Sequence, residues 1–203
     1  MLLSEFYPYV LPYVMGCPLP TVDHHVRLAA MEFCKRTSCW QKTLDAVSCN
    51  GTDNLIEMDQ EAGQQIIKVK SVAVGGINWP LVDSIDGLDL ARSGSQQSFC
   101  FTQDNKTLQI YPLQTNGITV QVDAVLAPSR TATTIDDMIG NDYVQDMAHG
   151  AVASIQRIPA QDFTDPNSAI AEQQQFNNRI STIAAKVSRG FIARKMRSHA
   201  SYL

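Results

Sequence analysis

The clearest apolar stripe in this chain runs from Val22 to Trp40. Val22, Val26, Ala29, Ala30 and Phe33 recur at helical spacing, with charged and polar residues between them. Pro20 and Thr21 stand just before it, so the pattern predicts a helix opening near Val22. On that reading Asp23 falls in the first turn and Lys35 and Arg36 in the last, which suits the helix dipole at both ends. The periodicity stops at Trp40.

The twenty residues ahead of this helix are rich in aromatics and prolines: Phe6, Tyr7, Pro8, Tyr9, Pro12, Tyr13, Pro18 and Pro20. The prolines argue against one long helix, leaving a short helix or an extended arm whose apolar side chains need cover. That cover is either the chain's own core or a neighbouring subunit.

From residue 41 to 128 the pattern changes to period two. Leu44–Val47 and Leu55–Met58 are short candidate strands around a turn at Asn50–Asp53. Ile66–Val74 alternates as a half-buried strand does, and Gly75-Gly76 turns it into Ile77–Val82. Ser84–Ala91 reads as a helical turn. Phe99–Thr102 and Leu108–Tyr111 flank a hairpin loop, and Asn116-Gly117 leads into Ile118–Leu126. About six strands with short loops predict a small antiparallel sandwich or open barrel.

After Pro128 the helical period returns. Ile139, Tyr143, Met147, Ala151 and Ile155 are four apart, on a helix that ends before Pro159. Asp165-Pro166 is a cap followed by a proline and opens a last helix. There Ala169, Gln173, Phe176, Ile180, Ile183 and Val187 share a face, and Gly190 closes it. The loop between the two helices is short, so they should lie antiparallel. The predicted fold is α+β: a three-helix bundle with an inserted antiparallel β lobe. Its parts are an N-terminal arm and first helix (1–41), the β lobe (42–128), a helical hairpin (129–190) and a C-terminal tail (191–203).

Charge adds one feature. The 203 residues carry a net charge of -4, but unevenly. The middle of the chain is acidic, whereas Arg189, Arg194, Lys195 and Arg197 sit near the end with no acid among residues 189–203. Phe191, Met196 and Tyr202 lie within the same stretch and have no place in the helical stripes. A tail of this composition suits docking on a partner, through apolar anchors and arginines. No apolar run approaches the ~20 residues that span a bilayer, and the N-terminus lacks the basic start of a signal peptide. The five cysteines are an odd and sparse set, read as reduced thiols of a cytoplasmically made protein.

Candidate chemistry is scarce. His24 and His25 are adjacent and so do not share a helix face, and no H-x-x-x-H or C-x-x-C spacing is present. Cys17, Cys34, Cys39, Cys49 and Cys100 fit no zinc pattern. No G-x-S-x-G, P-loop or G-x-G-x-x-G occurs. Asp83, Asp86 and Asp89 lack the spacing of an EF-hand, and Asp136-Asp137 reads as a helix start. The expectation is a protein that is not an enzyme, with no catalytic residue, cofactor or metal.

A resemblance gives these features a direction. Cys17-Pro18, Arg27–Ala30, Glu32–Cys34, Arg36-Thr37 and Trp40 look like the start of a family of tailed-phage virion proteins. Phe99-x-Phe101, Leu108-x-Ile110-Tyr111-Pro112 and Val120-x-Val122 fit its middle. A helix from about Asp142 to Ile158, then Pro166 opening a helix rich in Gln and Asn, fits its end. The chain thus resembles the head-to-tail portal adaptors of short-tailed phages, the tail tubular protein A-like family. That implies a structural virion protein at the head–tail interface, assembled in the host cytoplasm. It implies a homo-oligomeric ring, a dodecamer, between the portal protein and a tail nozzle or tail tube protein. Genomic DNA would pass through the channel without sequence-specific binding, and no membrane would be engaged. Arg189, Phe191, Arg194, Lys195, Met196, Arg197 and Tyr202 are the expected portal-docking residues. A second reading is a tail-associated β module that binds carbohydrate or a host surface, on a helical base. It needs an exposed aromatic cluster on the β lobe, where Trp79 is the one tryptophan.

Overall fold

A computed structural model describes residues 1–50, 52, 55–82, 99–102, 104–112, 114 and 116–190. The prolines of the N-terminal segment break it into short pieces: 3-10 turns at Leu3–Phe6 and Leu11–Tyr13 flank one α-turn, α1 (Tyr7–Val10). Leu3, Phe6, Val10 and Val14 point inward and are buried in this chain's own core. The segment is therefore a short helical arm packed in cis.

Helix α2 spans Leu19–Thr37, three residues earlier at its start than the stripe alone predicts. Pro18 is its cap and Pro20 lies in its first turn, where a missing N–H costs nothing because those N–H groups have no helical partner. Asp23 consequently falls outside the first turn, and its carboxylate accepts a 2.8 Å hydrogen bond from the Tyr7 hydroxyl. The helix ends at Ser38, which adopts φ 54°, with its N–H bonded to the Cys34 carbonyl at 2.9 Å.

Eight strands are described. The larger sheet has the order β1 (Gln41–Thr43), β8 (Thr119–Pro128), β4 (Gln64–Val74), β5 (Ile77–Trp79), with β2 (Val47–Ser48) also paired to β8. The smaller has the order β3 (Leu55–Glu57), β7 (Thr107–Tyr111), β6 (Phe99–Phe101). All strand pairs are antiparallel, and neither sheet closes into a barrel. The expected strand Leu44–Val47 is not continuous: β1 ends just before it and β2 begins at its last residue, both on β8. The Leu44 N–H still bonds the Val122 carbonyl at 2.8 Å, so the chain stays against β8 while the ladder is interrupted. Gly75 and Gly76 take φ 57° and 81°, the pair of positive values that a tight β4–β5 turn demands. The reading of Ser84–Ala91 lies outside the described residues.

Helix α3 (Asp137–Ile155) begins five residues ahead of Asp142 and ends three before Ile158. Asp136 caps it, accepting from the Met138 N–H, which explains the early start. Tyr143 leaves helical geometry at φ -129°, ψ 18° and kinks it. Helix α4 (Pro166–Arg189) opens at Asp165, whose carboxylate caps the Asn167 and Ser168 N–H groups at 3.1 Å, and it closes at Gly190.

Helices α2, α3 and α4 pack on one another, and α2 also covers β8. That cover explains why β8 alternates exposed and buried up to Asp123 and is then buried at every residue from Ala124 to Pro128. Phe33, Trp40, Ile155 and Ile183 share one apolar core with Val72, Leu126 and Leu108 from the two sheets. Fully burying a side chain such as Phe33 or Phe176 contributes about 1.5–3 kcal/mol. Among the described residues the fold is α+β, with two open antiparallel sheets.

Candidate functional site

The N-terminal arm has two faces because Val10 and Val14 turn inward while Tyr9 and Tyr13, also four apart, turn outward. Tyr13 is 58% exposed and Met15 78%, and Leu19 is exposed just beyond them. This segment thus presents large apolar side chains to solvent while its other face is anchored in the core.

Beside the tyrosines lies a groove of about 310 Å³ between the arm, α3 and α4. Pro8, Tyr9, Pro12 and Tyr13 form one wall, and Ala148 and Val152 the floor. His149 and Glu172 add a polar side, joined at 2.5 Å from Nδ1 to Oε2. Both side chains are largely buried, so the pair works as a link between α3 and α4. Asp146 and Arg179 make a second link at 3.2 Å further along the same antiparallel helices. The arm is tied to α3 where the Gln156 side-chain amide donates to the Tyr13 carbonyl at 3.1 Å. Sequence reasoning did not find His149 or Glu172. Neither belongs to a motif, and their meeting depends on the register of two helices that periodicity does not fix.

A second concavity, lined by Lys42, Asp45, Asp59 and Glu61, offers about 20 Å³, room for one water. Hydrogen bonding to Lys42 at 2.5 Å holds the Glu61 carboxyl below its ordinary value and raises the lysine. Among the described residues of the middle segment, Asp45, Glu57, Asp59, Glu61, Asp104 and Asp123 are all solvent-exposed.

Of the expected docking residues, Arg189 is the last residue of α4 and is exposed. Phe191, Arg194, Lys195, Met196, Arg197 and Tyr202 lie outside the described residues. His25 Nδ1 meets the Ser154 hydroxyl at 2.8 Å across the α2–α3 contact, and His25 and His24 stack edge to face. Among the described residues no group of three His, Cys, Asp or Glu is placed to hold a metal. All five cysteines are free thiols and buried; burial pushes the Cys100 thiol up to about 12 and raises Cys17 and Cys49. On the sheets, Trp79 is half-buried against the core and Ile77 beside it is exposed. Among the described residues no helix is long and apolar enough to cross a membrane.

Comparison with protein-family models and with curated proteins gives no match for this chain.

Proposed function

We propose that this chain is a structural subunit of a phage head-to-tail connector, an adaptor that forms a ring beneath the portal and surrounds the DNA exit channel. The observation that carries the reading is the outward face of the N-terminal arm. Tyr9, Tyr13, Met15 and Leu19 are held exposed on a segment whose other face is locked into the core. Large exposed apolar side chains gathered on a rigid segment mark a surface built for another protein. In the ring, that face meets a neighbouring subunit or the portal, with the three packed helices as a bundle carrying a β lobe. The basic tail docks on the portal, and Arg189 marks where it leaves α4. Exposed carboxylates on the β lobe suit a channel in which DNA must slide, because neutralised phosphates are what hold DNA to protein.

The test is co-assembly with a portal ring. The intact chain should form portal-bound rings, with a particle mass set by the subunit number. Deleting Phe191–Leu203 should leave the melting temperature close to that of the parent, since every core residue described above precedes that segment, yet abolish stable association. A truncated chain that still occupies portals fully would move docking elsewhere. A full-length chain that stays monomeric with portals present would overturn the connector reading.

A further inference from the structure

The end of α2 brings two thiols together. A helix that closes on a left-handed residue folds the chain back, so that the residue just past the turn meets the side chain one turn inside the helix end. Here Ser38 is the left-handed residue, its N–H bonded to the Cys34 carbonyl. The residue past the turn is Cys39, and the residue it meets is Cys34. Both are in the apolar core, Cys34 at 0% exposure and Cys39 at 8%. Hydrogen bonding to Cys39, ahead of burial, raises the Cys34 thiol, and the same contact is the first cause that lowers Cys39. Amide N–H groups of Cys39 and Trp40 add to the lowering, against burial. Cys39 is the one cysteine of the five shifted toward its thiolate by its surroundings; Cys17, Cys34, Cys49 and Cys100 are all shifted the other way.

We propose that Cys34 and Cys39 form a redox-modifiable dithiol that closes to an intramolecular disulfide when the protein meets hydrogen peroxide. Cys39 is the attacking sulfur, being the more exposed and the better thiolate. Its thiolate attacks one peroxide oxygen. An S–O bond forms, the O–O bond breaks, and the departing hydroxide takes up a proton to leave as water. The Cys34 sulfur then attacks the Cys39 sulfenic acid. The S–S bond forms, the S–O bond breaks, and the second hydroxide leaves as water with the proton of the Cys34 thiol. Two thiols are oxidised by two electrons, and one peroxide is reduced to two waters.

The position gives the bond a consequence. Trp40 follows Cys39 directly, and its carbonyl accepts the Leu126 N–H of β8 at 2.8 Å, just where β1 begins. A Cys34–Cys39 bridge therefore staples the end of α2 to the point where the chain joins the larger sheet. The helical layer and the sheet become covalently held at their junction. None of this depends on the connector reading.

The experiment uses the full-length protein, treated with hydrogen peroxide while folded, then denatured in iodoacetamide. The expected result is a fall from five alkylated cysteines to three. Trypsin cuts after Lys35 and Arg36, between the two cysteines, so the peptides Leu28–Lys35 and Thr37–Lys42 separate in the reduced protein. After oxidation they should appear as one linked species that dithiothreitol divides. Cys39→Ser should abolish the linked species and leave Cys34 alkylatable under the same exposure, whereas Cys100→Ser should retain it. Five alkylated cysteines after treatment of folded protein, or a linked species joining any other pair, overturns the proposal. Should Cys39→Ser fail to fold, the peptide map of the parent decides alone.

Discussion

Gly150 is where the helix–helix contact can be tested most sharply, because two effects of known size oppose each other there. It lies inside α3, and a methyl group added to it would sit 2.9 Å from two ring carbons of Phe176 on α4 and 3.1 Å from a third. On an open helix surface Gly→Ala would stabilise by about 0.8–1 kcal/mol through backbone entropy and propensity. At this position the methyl meets a ring with little freedom to yield. Phe176 is 1% exposed, and its ring lies 6.4 Å from that of Phe33, which is in turn 5.2 Å from Tyr143. Displacing one ring displaces the row. Overpacking of this kind costs about 1–3 kcal/mol. The clash therefore outweighs the propensity gain, and Gly150→Ala should destabilise by about 1 kcal/mol.

In a chain of this size that corresponds to a fall in Tm of about 2–4 °C, where propensity alone would raise it by a similar amount. Urea denaturation supplies the free energy and thermal melting the sign. Phe176→Leu removes the ring edge that the methyl strikes. In that background Gly150→Ala should become neutral or stabilising, with a coupling energy of about 1–2 kcal/mol across the cycle. A Gly150→Ala protein that melts at or above the parent, with no coupling to position 176, would refute the close approach of α3 and α4 at this point.

Two further outcomes follow from polar contacts. Asp165→Ala should cost about 1 kcal/mol in urea denaturation, because the Asn167 and Ser168 N–H groups at the start of α4 lose their acceptor; an unchanged midpoint would mean that water caps the helix equally well. Asp123 bridges β1 and β4 from β8, accepting from Ser71 at 2.5 Å and Thr43 at 2.6 Å, and these bonds hold its carboxyl below the ordinary value. A carboxyl lower in the folded than in the unfolded state stabilises fully above its unfolded value, about pH 4, and that contribution is lost as the pH falls through the folded value. Asp123→Asn should therefore flatten the acid limb of the stability profile below about pH 4 and leave its neutral region parallel to the parent; an unchanged acid limb would count against the bridge.

Local chemistry was legible in the sequence wherever a single residue type decides the conformation. Asp165-Pro166 announced the start of α4 and Gly190 its end, because a capping carboxylate and a residue free of Cβ strain act within one turn. Gly75-Gly76 announced the β4–β5 turn for the same reason. The stripes of α2, α3 and α4 mark their buried faces, with Tyr143, Gln173 and Val187 only half-buried, since burial repeats with the helical period. Helix α2 starts ahead of Pro20, not after it. A proline in the first turn is no boundary, and Pro18 and Pro20 both fall among the positions whose N–H groups lack helical partners.

What stayed hidden depends on which segments meet. Strand β8 gathers β1, β2 and β4, and no alternation within 119–128 names those partners; its fully buried second half reflects a helix ninety residues upstream. The arm shows the same limit from the other side. Its sequence gives apolar residues at nearly every position, so the choice between own core and neighbouring surface looked exclusive. The prolines at 8 and 12 resolve it physically. They restrict the arm to short turns that set Phe6, Val10 and Val14 on one side and Tyr9 and Tyr13 on the other. Burying the first set is what fixes the second set in the open. An arm that packed on its own chain less firmly would offer the same tyrosines only after paying an ordering entropy, whereas this one presents them already held in place.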